Sequence, residues 1–443
     1  MSPVIARLLA AAAGACLSLA AQATEPAVTA APTLQMPKAV TQADAPYALF
    51  GARHRPFVRS SSQVVGVYVP NWERPDLIQR VPSGNLSHVL YAFLRLCGPG
   101  QLDKDAAACK GKRDFELTTS ATEQRFDRAF AAKKRQAPQL QVLASVGGWG
   151  GSDPFFHMAP DAAKRAVFVA SVLDFLRAHP AFDGIDIDWE HPGGNGAANG
   201  VALGSPQDGA AYVALLQDLR HALDQLGADR GRRYALTTAI NTTHTVVQRV
   251  DWRAAAPLLD LVFLMSYDFY GGWSPQAGHH STLAPSAPDA DDSLLRAVRN
   301  LEVAGVPRAK LVAGAAMYGR GFKGVALAAD QPATGAAHRG AYPGPEGALT
   351  YREIAKQMLG RHGQGRAGYQ ARWDATTQTW ALYHAQGQRL MGYDDPRAVA
   401  AKAQFARLNG LAGVFAWELS QDNGDVLNAM NWGAGQQLAR PAR

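Results

Sequence analysis

The sequence predicts an α/β fold, a TIM (β/α)8 barrel with a small α+β insertion domain. Eight short apolar runs recur between residues 64 and 417, and amphipathic helical patterns separate most of them. Strands alternating with helices imply a parallel sheet, and eight such units imply a closed barrel. The span exceeds the roughly 250 residues typical of such barrels, so an insertion has to hold the surplus.

The chain has 443 residues, 47% hydrophobic and 18% charged, a composition that suits a folded globular protein with a full core. Its net charge of +7 is spread thinly, with no basic run interleaved with aromatics, which argues against a nucleic-acid partner. At the start, Arg7 precedes an apolar run from Leu8 to Ala20, and Ala21-Gln22-Ala23 offers a small-x-small cleavage site. Residues 1–23 therefore read as a signal peptide cut after Ala23, and the expected destination is outside the cell. A periplasmic home, or a lipid anchor on Cys16 after Ala13-Gly14-Ala15, is the alternative. No other run is long enough to span a bilayer. Residues 24–60, rich in Ala, Pro and Thr without periodicity, read as a linker or loosely attached leader.

The barrel domain is placed at 61–437. Its strands are expected at 64–69, 89–94, 142–146, 184–189, 235–240, 261–265, 311–317 and 413–417. Helices are expected at 122–135, 162–178, 209–226, 293–304 and 396–408, where apolar residues recur at spacings of three and four. The insertion is placed at 321–393, with a helix near 351–359 and three short strands at 369–374, 379–384 and 389–393. Cys97 and Cys109 flank a loop-like stretch containing Gly98, Pro99 and Gly100. In an oxidising compartment they should form a disulfide worth about 3 kcal/mol. Two thiols with no nearby His make a poor metal site, and no metal or other cofactor is expected.

The fourth strand carries the chemistry. Side chains alternate faces along a strand, so Asp186, Asp188 and Glu190 share one face while Ile185, Ile187 and Trp189 share the other. Like charges crowded into a poorly hydrated site cannot all ionise, so at least one carboxyl should keep its proton near neutrality and serve as a general acid. A salt-bridged or metal-bound acidic strand is the bland alternative. Asp183 breaks the alternation and is expected to be structural.

In such barrels the reacting groups sit where strands end. Here those places hold Tyr68 and Trp72, Tyr91 and Phe93, Trp149, then Met265, Tyr267, Asp268 and Trp273, then Tyr318 and Arg320, and finally Trp417. Aromatic faces stack on sugar rings, so a bowl of aromatics around three acids points to a carbohydrate.

These residues carry a resemblance. Asp183 to Glu190 resembles the D-G-x-D-x-D-x-E signature of family 18 glycoside hydrolases, the chitinases. Ser145-Val146-Gly147-Gly148 is similar to their S-x-G-G motif, Met265-Ser266-Tyr267-Asp268 to M-x-Y-D, and Met317-Tyr318-Gly319-Arg320 to M-x-Y-G-R. The likeness runs from about Val64 to Trp432 and includes the insertion that marks one subfamily. It implies a substrate-assisted retaining mechanism, for which the family is an exception to the two-carboxylate scheme. By position, Glu190 would be the acid and base, Asp188 would orient the 2-acetamido group, Asp186 would share a proton with Asp188, and Tyr267 would bond the acetamido carbonyl. Trp417 would form the floor under the sugar, and Arg320 would be a subsite or support residue. Tyr68, Phe93, Trp149, Met265, Asp268, Trp273 and Tyr318 complete the expected substrate surface.

Asp188 and Glu190, roughly 6.6 Å apart along one edge, approach from the same side, unlike a conventional carboxylate pair facing across the sugar. Asp268 is the one rival nucleophile, with pairing to Tyr267 or Arg320 as its structural alternative. Arg397 departs from the family pattern, which often has Ser after the Pro at position 396. The expected partners are chitin or chito-oligosaccharides, acted on by a monomer. Two other readings stay open: a chitin-binding lectin-like protein, and a related endo-β-N-acetylglucosaminidase.

Overall fold

In the computed structural model, residues 33–40, 49–329 and 331–439 are described. The expected signal peptide, with Cys16, lies outside the described residues. From Leu34 onward the described residues form one compact unit.

Eight parallel strands close into a barrel in chain order, the last pairing with the first. They are Val64–Pro70, His88–Leu94, Gln141–Gly147, Gly184–Asp188, Ala235–Asn241, Leu261–Met265, Leu311–Ala316 and Gly413–Trp417. Both faces of the barrel wall are largely apolar, for different reasons. Val65, Val67, Ile185 and Ile187 point outward and are buried under the surrounding helices, while Tyr68, Leu90, Leu143, Phe263 and Phe415 fill the barrel interior. The helices start where polar caps are available. Ser120 and Glu123 form a capping box ahead of Ala121–Gln136, Asp161 caps Ala162–Ala178, and Asp395 caps Pro396–Leu408.

The insertion is larger than expected. It is a five-stranded antiparallel sheet ordered Ala348–Thr350, Tyr318–Lys323, Arg389–Tyr393, Thr379–His384, Gln370–Asp374. It begins at Tyr318, not at residue 321, directly after the seventh barrel strand. Glycine weakens the strand pattern there, but Gly321 is required, because a Cβ at that position would stand 2.2 Å from the Tyr342 carbonyl oxygen.

The leader is also different from its expectation, being fastened and not loose wherever it is described. Leu34, Val40, Leu49 and Phe57 are buried. The N–H groups of Gly51 and Ala52 both donate to Asp425 Oδ1 at 2.9 Å, and Phe57–Val58 pairs with Gln437–Leu438. These apolar residues are too irregularly spaced to show a period. The disulfide joins Cys97 to Cys109 with the Cα atoms 5.5 Å apart. No helix among the described residues is long and apolar enough to cross a membrane.

Candidate active site

Register builds the site. Ser145, Asp186 and Thr237 lie directly opposite one another on three adjacent strands, in one layer of the barrel. Asp186 is fully buried and accepts hydrogen bonds from Thr237 Oγ1 at 2.6 Å, Ser145 Oγ at 2.7 Å and Tyr68 Oη at 3.0 Å. Burial pushes its pKa up and the three hydroxyls pull it down, with burial the larger effect.

One layer higher, Asp188 is buried and its Oδ1 has no hydrogen-bond partner among the described residues. Burial, then the charges of Glu190 and Asp186, hold its pKa well above the usual range. A buried acceptor without a donor is rare enough to call for an explanation, and a bound molecule supplies one. Gly147 opposes Asp188 in the register. A side chain there would collide, since its Cβ would stand 2.0 Å from the Asp188 carbonyl oxygen, and its φ of +118° suits glycine.

Glu190 follows the strand end, its backbone N–H donating to Ser152 Oγ at 3.0 Å. Burial pushes its pKa up to about 8, and the Asp268 charge adds to the rise. Asp186, Asp188 and Glu190 thus form one inward-facing line, with the proton held near neutrality that an acid catalyst needs. Among the described residues no group of three or more His, Cys, Asp or Glu could hold a metal ion.

Tyr267 stands close enough to the acids that its phenol feels Asp188, Asp268 and Glu190 in addition to burial, all of which raise its pKa. Its ring lies 6.2 Å from those of Tyr318 and Phe415. Beside it opens a cavity of about 400 Å³ lined by Met265, Tyr267, Asp268, Tyr270 and Asn241, among others. Asp268 is gripped by the Arg320 fork at 2.8 and 2.9 Å, and the His280 ring lies 3.6 Å away. Burial would raise the Asp268 pKa, but the hydrogen bonds of Arg320 and His280, with the Arg320 charge, hold it well below the usual range. Asp268 and Arg320 thus form a bidentate ion pair at the edge of that cavity.

The expected aromatic bowl divides. Trp72, Trp149 and Trp273 are 61%, 52% and 61% exposed. Trp417 and Phe93 are stacked, with their centroids 5.6 Å apart. Tyr68 is a correction: it is buried and gives its hydroxyl to Asp186, so it supports a carboxylate and presents no face to a ligand. Tyr318 is also buried, its ring edge-on to that of Tyr267. Tyr91 leaves the bowl altogether, pointing outward to bond Glu123 at 2.7 Å. Asp183 is structural as expected, bonded to Lys134 at 2.6 Å and to the Val142 N–H at 2.8 Å, with Arg232 beside it.

Thr237, Ser152 and His280 were not among the expected site residues. Thr237 could have been found, because alternation from Ala235 and Ala239 places it on the inward side of its strand, with neighbouring Thr238 on the other. Ser152 and His280 come from loops, where no period marks direction.

Comparison with known proteins agrees with this geometry. Residues 64–422 match the family described as Glycosyl hydrolases family 18. The chain is 37% identical over 429 residues to Chitinase A of Pseudoalteromonas piscicida, covering 83% of this chain and 52% of that protein. It is 37% identical over 410 residues to a probable endochitinase of Orgyia pseudotsugata multicapsid polyhedrosis virus, covering 84% of this chain and 72% of the relative. The chain thus spans about half the length of the bacterial relative. Among solved structures, a family 18 N-acetylglucosaminidase from Paenibacillus barengoltzii superposes with a TM-score of 0.70 at 28% identity, covering 84% of this chain and 99% of that one. A family 18 chitinase from Cycas revoluta in complex with (GlcNAc)3 superposes with a TM-score of 0.68 at 26% identity, covering 84% and 100%.

Proposed function

Because the chain belongs to the family 18 glycosyl hydrolases, we propose that this glycoside hydrolase is an exported chitinase cleaving β-1,4-linked N-acetylglucosamine polymers. The observation that carries the reading is the inward line Asp186–Asp188–Glu190, in which the partnerless Asp188 Oδ1 stands between a cradled carboxylate and a carboxyl whose pKa is about 8.

In the first step Glu190 gives its proton to the glycosidic oxygen while the substrate's own 2-acetamido oxygen attacks the anomeric carbon. The sugar–oxygen bond breaks and an oxazolinium ion forms. Asp188 Oδ1 accepts the acetamido N–H and offsets the developing positive charge, and the Tyr267 hydroxyl donates to the acetamido oxygen. Asp186, held by three hydroxyls, keeps Asp188 in place and shares its proton. In the second step Glu190 takes a proton from water, which opens the ring with retained configuration. Trp417 is the floor beneath the distorted sugar, and Trp149 and Trp273 offer exposed faces to further rings.

The apolar run and cleavage site before residue 24 support export, and the Cys97–Cys109 bond suits an oxidising destination. Mass-spectrometric product analysis on chito-oligomers of defined length, with wild type and Glu190→Gln, tests the whole reading. Wild type should release shorter oligomers and the variant none. Equal hydrolysis by both overturns the role of Glu190. Binding without cleavage by wild type makes the protein lectin-like, and cleavage of glycoprotein glycans alone makes it an endo-β-N-acetylglucosaminidase.

A further inference from the structure

Beside Glu190 stands a second titratable ring that this scheme leaves unused. His191 Nε2 lies 3.8 Å from Glu190 Oε2, and the imidazole is only 12% exposed. Its backbone is fixed by a reciprocal turn in which the His191 N–H donates to Gly194 O at 3.2 Å and the Gly194 N–H donates to His191 O at 2.9 Å. The Trp149 ring lies on one side, 6.4 Å between centroids. Burial, and then the Arg249 charge, lower its pKa to about 4, so the ring is neutral wherever Glu190 is titrating. A neutral imidazole still carries one N–H donor. A small side-chain rotation turns 3.8 Å into a hydrogen bond, and such contacts commonly tighten when substrate is bound.

We propose that His191 is a positioning residue for Glu190, its Nε2–H donating to Oε2 of the carboxylate that remains after Glu190 has given up its proton. The anion is thereby held in the orientation from which it draws a proton from water. The proposal rests on the reading of Glu190 as the acid and base. The other charged or titratable groups acting on the pair are Asp188, Asp268 and Tyr267 toward Glu190, and Arg249 toward His191. None of these supplies a donor to the Glu190 carboxylate on the His191 side. A donor that favours the anion lowers an acid's pKa, so its removal should raise it.

The test is the pH dependence of kcat and KM on one chito-oligomer for wild type, His191→Phe, His191→Asn and His191→Gln. A glutamine amide nitrogen can occupy the place of Nε2, whereas an asparagine reaches only that of Nδ1. His191→Phe and His191→Asn should move the alkaline limb upward by about 0.5–1 pH unit and lower kcat about tenfold with KM little changed. His191→Gln should restore the wild-type limb. An unmoved limb in Phe and Asn variants, or a shift that Gln does not reverse, overturns the proposal. Should the Phe variant not fold, the Asn and Gln pair decides. A wild type that leaves the oligomer intact overturns the parent reading, whereas active enzymes with one common profile overturn only the part given to His191.

Discussion

Glu190→Gln should make the protein more stable, and the gain should depend on pH. The Glu190 carboxyl has an ordinary pKa of 4.5 when exposed and about 8 in the folded chain. Between those values the folded state binds a proton that the unfolded state has lost, so wild-type stability falls as pH rises. The favourable term is fully present below about pH 4.5 and gone above about pH 8. At about 1.4 kcal/mol per pH unit over roughly 3.5 units, the ceiling on the loss is near 5 kcal/mol. Glutamine does not titrate, so the variant escapes the loss. It also relieves Asp188, whose pKa the Glu190 charge raises, which adds in the same direction. The amide brings its own cost of about 1–3 kcal/mol if an N–H is left unpaired, but that cost is the same at every pH. The slope is therefore the test and the offset is not. Thermal melts of both proteins at pH 4.5, 6, 8 and 9 should show a gap that widens through the window and then levels off. A constant gap, or one that narrows toward pH 9, would refute the argument that the site stores a destabilising proton requirement.

Three further outcomes are expected. Hydrolysis of a chito-oligomer should fall through about pH 8 as Glu190 loses the proton it must donate, and a rate still climbing at pH 10 would contradict this. Thr237→Val, which removes the 2.6 Å donor to Asp186 while keeping its shape, should lower kcat roughly tenfold and leave KM near wild type, as initial rates would show. Replacing Cys97 and Cys109 together by Ser should lower stability by about 3 kcal/mol in urea titrations while sparing activity at 25 °C, since the small loop they close lies outside the carboxylate line.

How much of this could be read from residues depends on whether period or contact decides each feature. All eight barrel strands were visible because buried parallel strands are mostly apolar runs, with at least one wholly apolar face even on the strand that carries the acids. The acid line was visible because alternation alone places Asp186, Asp188 and Glu190 together. Phe93 shows where alternation stops informing. Counting by twos puts it outward with Val89 and Tyr91, but a register irregularity between Ala92 and Leu94 turns it toward Trp417. Tyr91 keeps the regular parity and is therefore core. The leader and the extra insertion strands were missed for the opposite reason: their burial is long-range and their residues, scattered apolars or glycines, carry no local period.

The barrel's last seam has a temporal consequence. Val64 pairs with Gly413, so the opening strand waits for a partner that lies on the last barrel strand. During synthesis the growing chain keeps an unpaired strand edge until residue 413 has been made, and contacts of such high order form slowly. Chaperone dependence should therefore be greatest for chains truncated just short of residue 413.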